Sequence, residues 1–286
     1  MNDPRTVTPP AGAPSVDPSR LVFVGGLHRS GTTPFARILA RHPDVSGLEG
    51  TGVIEDEGQH LQSVYPPGTT YGGSGHFARD PRAHVTESSP LVSPESAERL
   101  LAAWTPYWDL GRSRLVEKSP PNLTKSRFLQ ALYPGARFVM VVRHPVTVAL
   151  STRKWTHFLS RDPRKFATLS DLVEHWLLAH RILREDLPHL EHVHVVRYED
   201  FVRDPDTTFE GVRAFLGLAG PIPTDTVRGA ASDVYERTWA SYRRPWRPGR
   251  VQRALITRRF GAEIAGYGYD LDDLMAFDPA RSPLLG

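Results

Sequence analysis

Arg29, Lys118, Arg143 and Ser151 are the residues whose types and surroundings point most directly to chemistry. Arg29 lies in Gly25-Gly26-Leu27-His28-Arg29-Ser30-Gly31, between the apolar run Leu21-Val22-Phe23-Val24 and a helix opened by Thr32-Thr33-Pro34. Strand, glycine loop and helix in that order gather backbone N–H groups around one anion, and the helix dipole adds to their pull. Gly26 and Gly31 have the spacing of a Walker A loop, but Thr32 stands where that loop places its Lys. Without that Lys, and with Arg29 inside the loop, the favoured ligand is a phosphate-like anion other than a triphosphate. The plain alternative is a strand-to-helix turn with no ligand. Gly-Gly plus Gly-Thr-Thr is more than a turn requires.

Lys118 closes Leu115-Val116-Glu117-Lys118, a strand end followed by Ser119-Pro120-Pro121 and a helix predicted from about Asn122. Open α/β sheets bind ligands at the carboxyl ends of their strands, which is where such a Lys is delivered. A surface lysine lying along apolar neighbours is the competing reading. Ala136 to Pro145, ARFVMVVRHP, is the clearest strand, with the continuous apolar run of a parallel strand covered on both faces. Arg143 ends it, and Ser151 follows eight residues later, two turns into a helix running from about Val146 past Trp155. An Arg at a strand end and a Ser on the next helix can converge on one anion, with Arg153 and Lys154 adding positive charge nearby.

These residues need a sheet with helices on both sides. The first helix runs to about His42, and Pro43 to Gly47 turn into a short strand. Glu49 to Tyr65 is acidic and reads as helical from about Glu55, which would set Asp56 and His60, and likewise Glu57 and Leu61, on shared faces. An ordinary solvated acidic face has the same pattern. Tyr65 to Asp80 is rich in Gly and Pro, either an active-site lid or a long connection. Ser93 caps a helix through about Trp108, with Leu100, Leu101, Trp104 and Trp108 as core. Helices are expected over Ser170 to Leu187, Phe209 to Leu216 and Arg250 to Ala265, and a strand over His192 to Arg197 that Tyr198-Glu199-Asp200 ends. Residues 220–248 are mixed, and the tail Asp278 to Gly286 reads as loose. The alternation from Leu21 to Leu216 predicts a three-layer α/β fold with a mainly parallel sheet.

The 286 residues, 40% of them hydrophobic, suffice for a sizeable core. No apolar run approaches the roughly eighteen residues of a membrane span. Residues 1–19 lack the basic start and apolar centre of a secretory signal and read as a disordered leader, with residues 20–286 as one domain. The absence of Cys rules out disulfides, thiolate metal sites and a Cys nucleophile, and fits the cytoplasm. The net charge is only +3, carried mostly by Arg, which suits bidentate recognition of phosphate or sulfate. Tyr242 to Arg247 is too short a basic–aromatic run for a nucleic-acid surface. Scattered His residues give no metal site.

With the loop, Lys118 and the Arg143–Ser151 pair in view, the chain resembles the sulfotransferases that use 3′-phosphoadenosine 5′-phosphosulfate (PAPS). It is most similar to a bacterial branch that is itself like the tyrosylprotein sulfotransferases. The resemblance spans about Arg20 to Leu218, with a weaker echo at Gly266 to Asp270. It implies a P-loop-like fold and a loop, His28, Arg29, Ser30, Gly31, Thr32 and Thr33, that binds the 5′-phosphosulfate. It implies a 3′-phosphate held by Arg143 and Ser151, Lys118 near the sulfuryl group, and Tyr198 of a Tyr-Glu pair at the cofactor. PAPS carries anions at both ends of an adenosine, which matches two separate anion sites. Its product would be 3′-phosphoadenosine 5′-phosphate (PAP), and transfer needs no metal in principle. Arg29 and Lys118 would stabilise charge on the leaving group.

The acceptor, a hydroxyl of a carbohydrate, glycolipid or small natural product, needs a general base. Tyrosylprotein sulfotransferases have two adjacent carboxylates after Pro-x-Val-x-x-Gly. Here Pro43-Asp44-Val45-Ser46-Gly47-Leu48 is followed by Glu49-Gly50, without the second one. Glu49, Glu55, Glu57 and His60 remain as candidates, Glu57 first and His60 second. A P-loop kinase or nucleotide hydrolase, and a nucleotide-binding protein without chemistry, are the alternatives. Oligomeric state is not legible.

Overall fold

The computed structural model describes residues 16–159, 167–227 and 233–285. Five strands form one sheet: β1 (Leu21–Gly26), β2 (Val45–Gly47), β3 (Arg114–Lys118), β4 (Arg137–Val142) and β5 (Val193–Arg197). Their order is β2-β3-β1-β4-β5, and every ladder between them is parallel. β1 therefore lies where the chain switches from building one side of the sheet to building the other. In such sheets the ligand crevice opens at that switch point, beyond the strands' carboxyl ends.

Alternate residues of β1 face opposite cores. Val22 and Val24 pack with Phe35 and Leu39 of α1 (Thr32–Leu39), Phe201 of α6 (Tyr198–Arg203), and Phe209 and Val212 of α7 (Pro205–Leu216). Leu21 and Phe23 face the larger core under α2 (Pro94–Trp104), α3 (Ser126–Leu132), α4 (Pro145–Leu159), α5 (Leu169–Asp186), α8 (Asp233–Ser241) and α9 (Gly249–Gly266). There Phe23 contacts Phe138 and Tyr133 in stacked geometry at 5.5 and 5.9 Å, and Trp104 edge-on at 5.9 Å. Helices on both faces of a parallel sheet make the three-layer α/β fold that the alternation predicts.

Several local expectations are corrected. No helix starts at Glu55. Short 3₁₀ turns at Ile54–Asp56 and Gly58–His60 are separated by an extended Glu57, so Asp56 and His60 share no helix face. The Asp56 carboxylate is taken by the backbone N–H and hydroxyl of Thr51, at 3.0 and 2.6 Å, and Glu55 and Asp56 adopt left-handed backbone. Local side-chain bonds of this kind compete with helix. α2 stops at Trp104, just before Pro106, which has no N–H to continue the ladder. α3 starts at Ser126, after a 3₁₀ stretch Pro120–Thr124, because the Asn122 amide is committed to Glu117 and to the Val24 carbonyl. The Gly-rich stretch after Tyr65 is a packed connection, since Tyr65, Phe77 and Ala78 belong to the larger core. The tail docks: Leu284 is buried, and Phe277 lies under Arg197 at 4.3 Å. The mixed stretch contains α8. Of the leader, residues 1–15 lie outside the described residues, while Val16 is buried and Asp17 caps the turn Pro18–Arg20.

Candidate functional site

Three strand–helix junctions meet at the start of α1. The first is the loop after β1. Ser30 N–H closes a turn on the Leu27 carbonyl at 3.0 Å, and Arg29 is left-handed at φ 71°. Gly31 is the N-cap, at φ 97°, with no side-chain cap. A Cβ on Gly31 would stand 2.3 Å from the Tyr198 ring, so only glycine lets that ring close over the loop. The helix's first N–H groups have no partners within the helix and face the crevice.

The second junction joins β4 to α4. Arg143 is buried, donates to the Arg29 carbonyl at 2.9 Å, and stacks its guanidinium 3.9 Å above the Tyr198 ring. Burial lowers its pKa from the ordinary arginine value, while Tyr198 and Glu199 hold the charge. The junction is fixed from outside: Trp176 Nε1 donates to the Arg143 carbonyl at 2.9 Å. At the third junction, Glu199 beside Tyr198 accepts the His144 N–H at 2.9 Å, tying β5–α6 to β4–α4. Ser151 accepts from Arg29 Nε at 3.1 Å and from Tyr235 OH at 3.2 Å. Its own hydroxyl proton is thereby left to donate to a ligand. Arg29 also lies 4.9 Å over the Trp155 ring.

Arg29, Thr32, Thr33, Arg143, Ser151 and Tyr198 thus line one cleft of about 290 Å³. Arg29 and Arg143, with Arg37 and its partner Glu55 also in the lining, an uncapped helix start and the Ser151 hydroxyl proton fit an anion with more than one charged end. His28 and Ser30 do not line it. Ser30 is fully buried, and His28 sits edge-on to Phe77 at 5.7 Å, its pKa lowered to about 4 by burial.

A second cleft, about 280 Å³, adjoins the first and is lined by Thr33, Arg37, Glu49, Glu55, Asp56 and Lys118 among others. An Arg37–Glu55 ion pair of 3.2 Å stands between the two, and both residues line both clefts. Lys118 is buried, donating to the Glu55 carbonyl at 2.8 Å and to Glu57 Oε1 at 3.2 Å. Glu57 is buried behind it, with His60 Nε2 at 3.7 Å from Oε2. Lys118, Glu57 and His60 therefore form one cluster, which meets the second cleft through Lys118. Glu49 is exposed and lines the second cleft together with Glu55 and Lys118. Among the described residues no group of His, Asp or Glu side chains is arranged to hold a metal ion, and no helix is long and apolar enough to cross a membrane.

Sequence reasoning missed Tyr235, Arg37 and Gln59. Tyr235 sits in the stretch of mixed composition that yielded no element. Arg37 reads as an ordinary exposed helix arginine. Gln59, whose amide N donates to Glu57 Oε2 at 2.5 Å, had one signal, its place two residues from a candidate base.

The chain is similar in sequence to known proteins. A nodulation protein, NoeE, from Sinorhizobium fredii is 29% identical over 230 residues, covering 71% of this chain and 51% of that protein. Protein-tyrosine sulfotransferase 2 of Gallus gallus is 26% identical over 204 residues, covering 70% of this chain and 51% of that protein. The chain thus spans about half the length of these curated relatives. The crystal structure of sulfotransferase STF9 from Mycobacterium avium superposes with a TM-score of 0.50 at 12% identity, over 78% of this chain and 76% of that one, which concerns the fold alone. The sequence profile of the sulfotransferase family matches residues 21–221, from the first strand through all three junctions that meet at α1, and the chain belongs to that family.

Proposed function

We propose that this sulfotransferase takes its sulfuryl group from PAPS and delivers it to a hydroxyl of a carbohydrate, glycolipid or small natural product. The observation that carries this reading is the convergence of Arg29, Arg143, Ser151 and Tyr198 on the start of α1, from three separate junctions, in one cleft. Arg143 and Ser151 would hold the 3′-phosphate and Tyr198 would lie against the nucleotide. Arg29 and the N–H groups of Gly31, Thr32 and Thr33 would hold the 5′-phosphosulfate. PAPS supplies an activated sulfuryl group whose leaving phosphate gains negative charge. Lys118, beside that cleft, would neutralise the gain, which is where fixed positive charge lowers a barrier.

Glu57 would act as general base, with His60 beside it. The acceptor O–H bond breaks and its proton passes to the Glu57 carboxylate. The acceptor oxygen bonds to sulfur while the bond from sulfur to the 5′-phosphate oxygen breaks, releasing PAP. Glu57 pairs with Lys118 at 3.2 Å, which brings the base and the cation to one location.

Calorimetric titration with PAP, ADP and Mg·ATP tests the donor. PAP binding at least tenfold tighter than ADP, about 1.4 kcal/mol, is expected if the 3′-phosphate is read. Equal affinities, or preference for Mg·ATP, would overturn the reading in favour of phosphoryl transfer. PAPS offered with 2-naphthol, octyl glucoside and an N-acetylglucosamine trisaccharide then sorts the acceptor class. EDTA should leave transfer intact, and magnesium-dependent recovery would contradict a metal-free step.

A further inference from the structure

Glu57 is held by more than its lysine. Lys118 Nζ donates to Oε1 at 3.2 Å, and Gln59 Nε2 donates to Oε2 at 2.5 Å. Each carboxylate oxygen has one donor and keeps acceptor capacity for a further proton. The orientation of the Gln59 amide is not arbitrary. Its Oε1 accepts the Gly68 backbone N–H at 2.8 Å, and a backbone N–H can only donate. The opposite end of the amide, facing Glu57, must be the NH₂ group.

Gln59 is itself pinned from beneath. Its backbone N–H donates to Ser119 Oγ at 3.0 Å, and the Ser119 hydroxyl in turn donates its hydrogen bond to Glu117 Oε1 at 2.5 Å. Asn122 Nδ2 donates to Glu117 Oε2 at 2.5 Å and to the Val24 carbonyl at 3.2 Å, which uses both of its protons. The preceding residue is equally constrained. Gly58 accepts from Trp104 Nε1 at 3.1 Å, and a Cβ there would stand 2.6 Å from the Glu117 side chain. Glu117 is fully buried, its pKa raised to about 7 by burial, and Lys125 is buried nearby. Successive residues of a strand point to opposite faces. The segment Glu57 to Gln59 therefore straddles the end of β3, bound to Lys118 on one face of the sheet and to the Glu117 cluster on the other.

We propose that Gln59 is a positioning residue for the Glu57 carboxylate, and that the Glu117–Ser119–Asn122 cluster anchors Gln59 for that task. This rests on the reading of Glu57 as the base. A Glu side chain has three rotatable bonds, and a lone salt bridge leaves it free to swing about its lysine. A second donor on the other oxygen removes that freedom. Catalytic groups lose efficiency when they wander by about 0.5 Å or more from productive geometry.

The test is a cycle of variants on the intact chain, with PAPS and the best acceptor of the panel above, alongside PAP titration and thermal melting. Glu57→Gln should lose transfer. Gln59→Leu should lower kcat by about 10–100-fold, the order expected when a hydrogen bond to a charged group is lost, with PAP affinity and KM for PAPS within about twofold. In the Glu57→Gln background the same Gln59→Leu change should alter the residual rate by less than about twofold, since its effect runs through Glu57. The isosteric Gln59→Glu keeps the acceptor for Gly68 N–H and guards against a folding failure in the leucine variant. Its loss should be smaller at pH 6 than at pH 8, because a protonated carboxyl again donates to Glu57. The other ionisable groups facing this pair are Lys118, His60, His28 and Glu117. Full kcat in Gln59→Leu, losses that multiply in the double variant, or a pH-independent loss in Gln59→Glu would each overturn the positioning role alone. Full turnover by Glu57→Gln, or no transfer by the wild type, would overturn the underlying reading, and this inference with it.

Discussion

The two sides of the site are built by different means. The anion cleft is made by regular junctions: β1 into α1, β4 into α4 and β5 into α6. Its residues are aimed by backbone that belongs to strands and helices. The neighbouring region, Glu49 to Gly68, has almost no regular structure. It is held by side chains reaching across it: Thr51 to Asp56, Gln59 to Glu57, Trp104 to the Gly58 carbonyl, Lys118 to the Glu55 carbonyl. A sheet edge and a helix start supply donors at little extra ordering cost, because the fold already fixes them. An irregular segment must be fixed bond by bond, and each net bond contributes only about 1 kcal/mol. Under the proposed reading, the first design would suit a polyanionic donor, and the second would suit the acceptor side, since loops vary more freely than the elements they connect.

Lys118 stands at the border and should show the largest effect. Lys118→Ala is expected to cut kcat by about 10²–10³-fold, the usual cost of removing one donor to a charged transition state. PAP affinity should change far less. An unchanged rate would place Lys118 wholly on the structural side of the border.

Arg143→Ala comes next and should separate the two regions. Losing a charge-assisted bond to the 3′-phosphate should weaken PAP binding by roughly 10–100-fold. Adenosine 5′-phosphosulfate, which lacks that phosphate, should bind almost as before. Equal losses for both ligands would mean that Arg143 only braces the Arg29 loop. The smallest effect on transfer is expected from Trp104→Phe, which keeps an aromatic ring in the core but deletes the donor to Gly58. It should cost about 2–4 kcal/mol of stability, from the unpaired Gly58 carbonyl and the cavity left by the smaller ring, and lower transfer while sparing PAP affinity. If PAP affinity fell in step with transfer, the two regions would be one unit and the comparison would fail.

The same contrast explains what was legible in the sequence. The loop from Gly25 to Thr33 could be read because glycine spacing, an apolar strand and a helix start are local signals. Arg143 and Ser151 were legible for the same reason. The stretch from Glu55 was misread as a helix, since its charge spacing fits one. What prevents the helix is partly local, the Asp56 carboxylate taken by Thr51, and partly long-range, Gln59 bound to Ser119 and Gly58 to Trp104. Tyr235 was invisible because the residues around it carry no clean periodicity, and its place at Ser151 depends on how α8 packs against α4.

By itself, the sequence determined the parallel sheet, the glycine loop between the first strand and the first helix, and the residues at strand ends. Each follows from hydrophobic period, turn chemistry and the polarity of a helix start, all of which act within a few residues. Only the tertiary structure decided that Glu57, His60 and Lys118 meet, that Tyr198 closes over Gly31, and that Gln59 has its amide turned toward Glu57. Those outcomes depend on hydrogen-bond direction and close packing, across some sixty residues for Glu57 and Lys118, about 170 for Gly31 and Tyr198, and nine for the Gly68 N–H that orients Gln59, which no local pattern encodes.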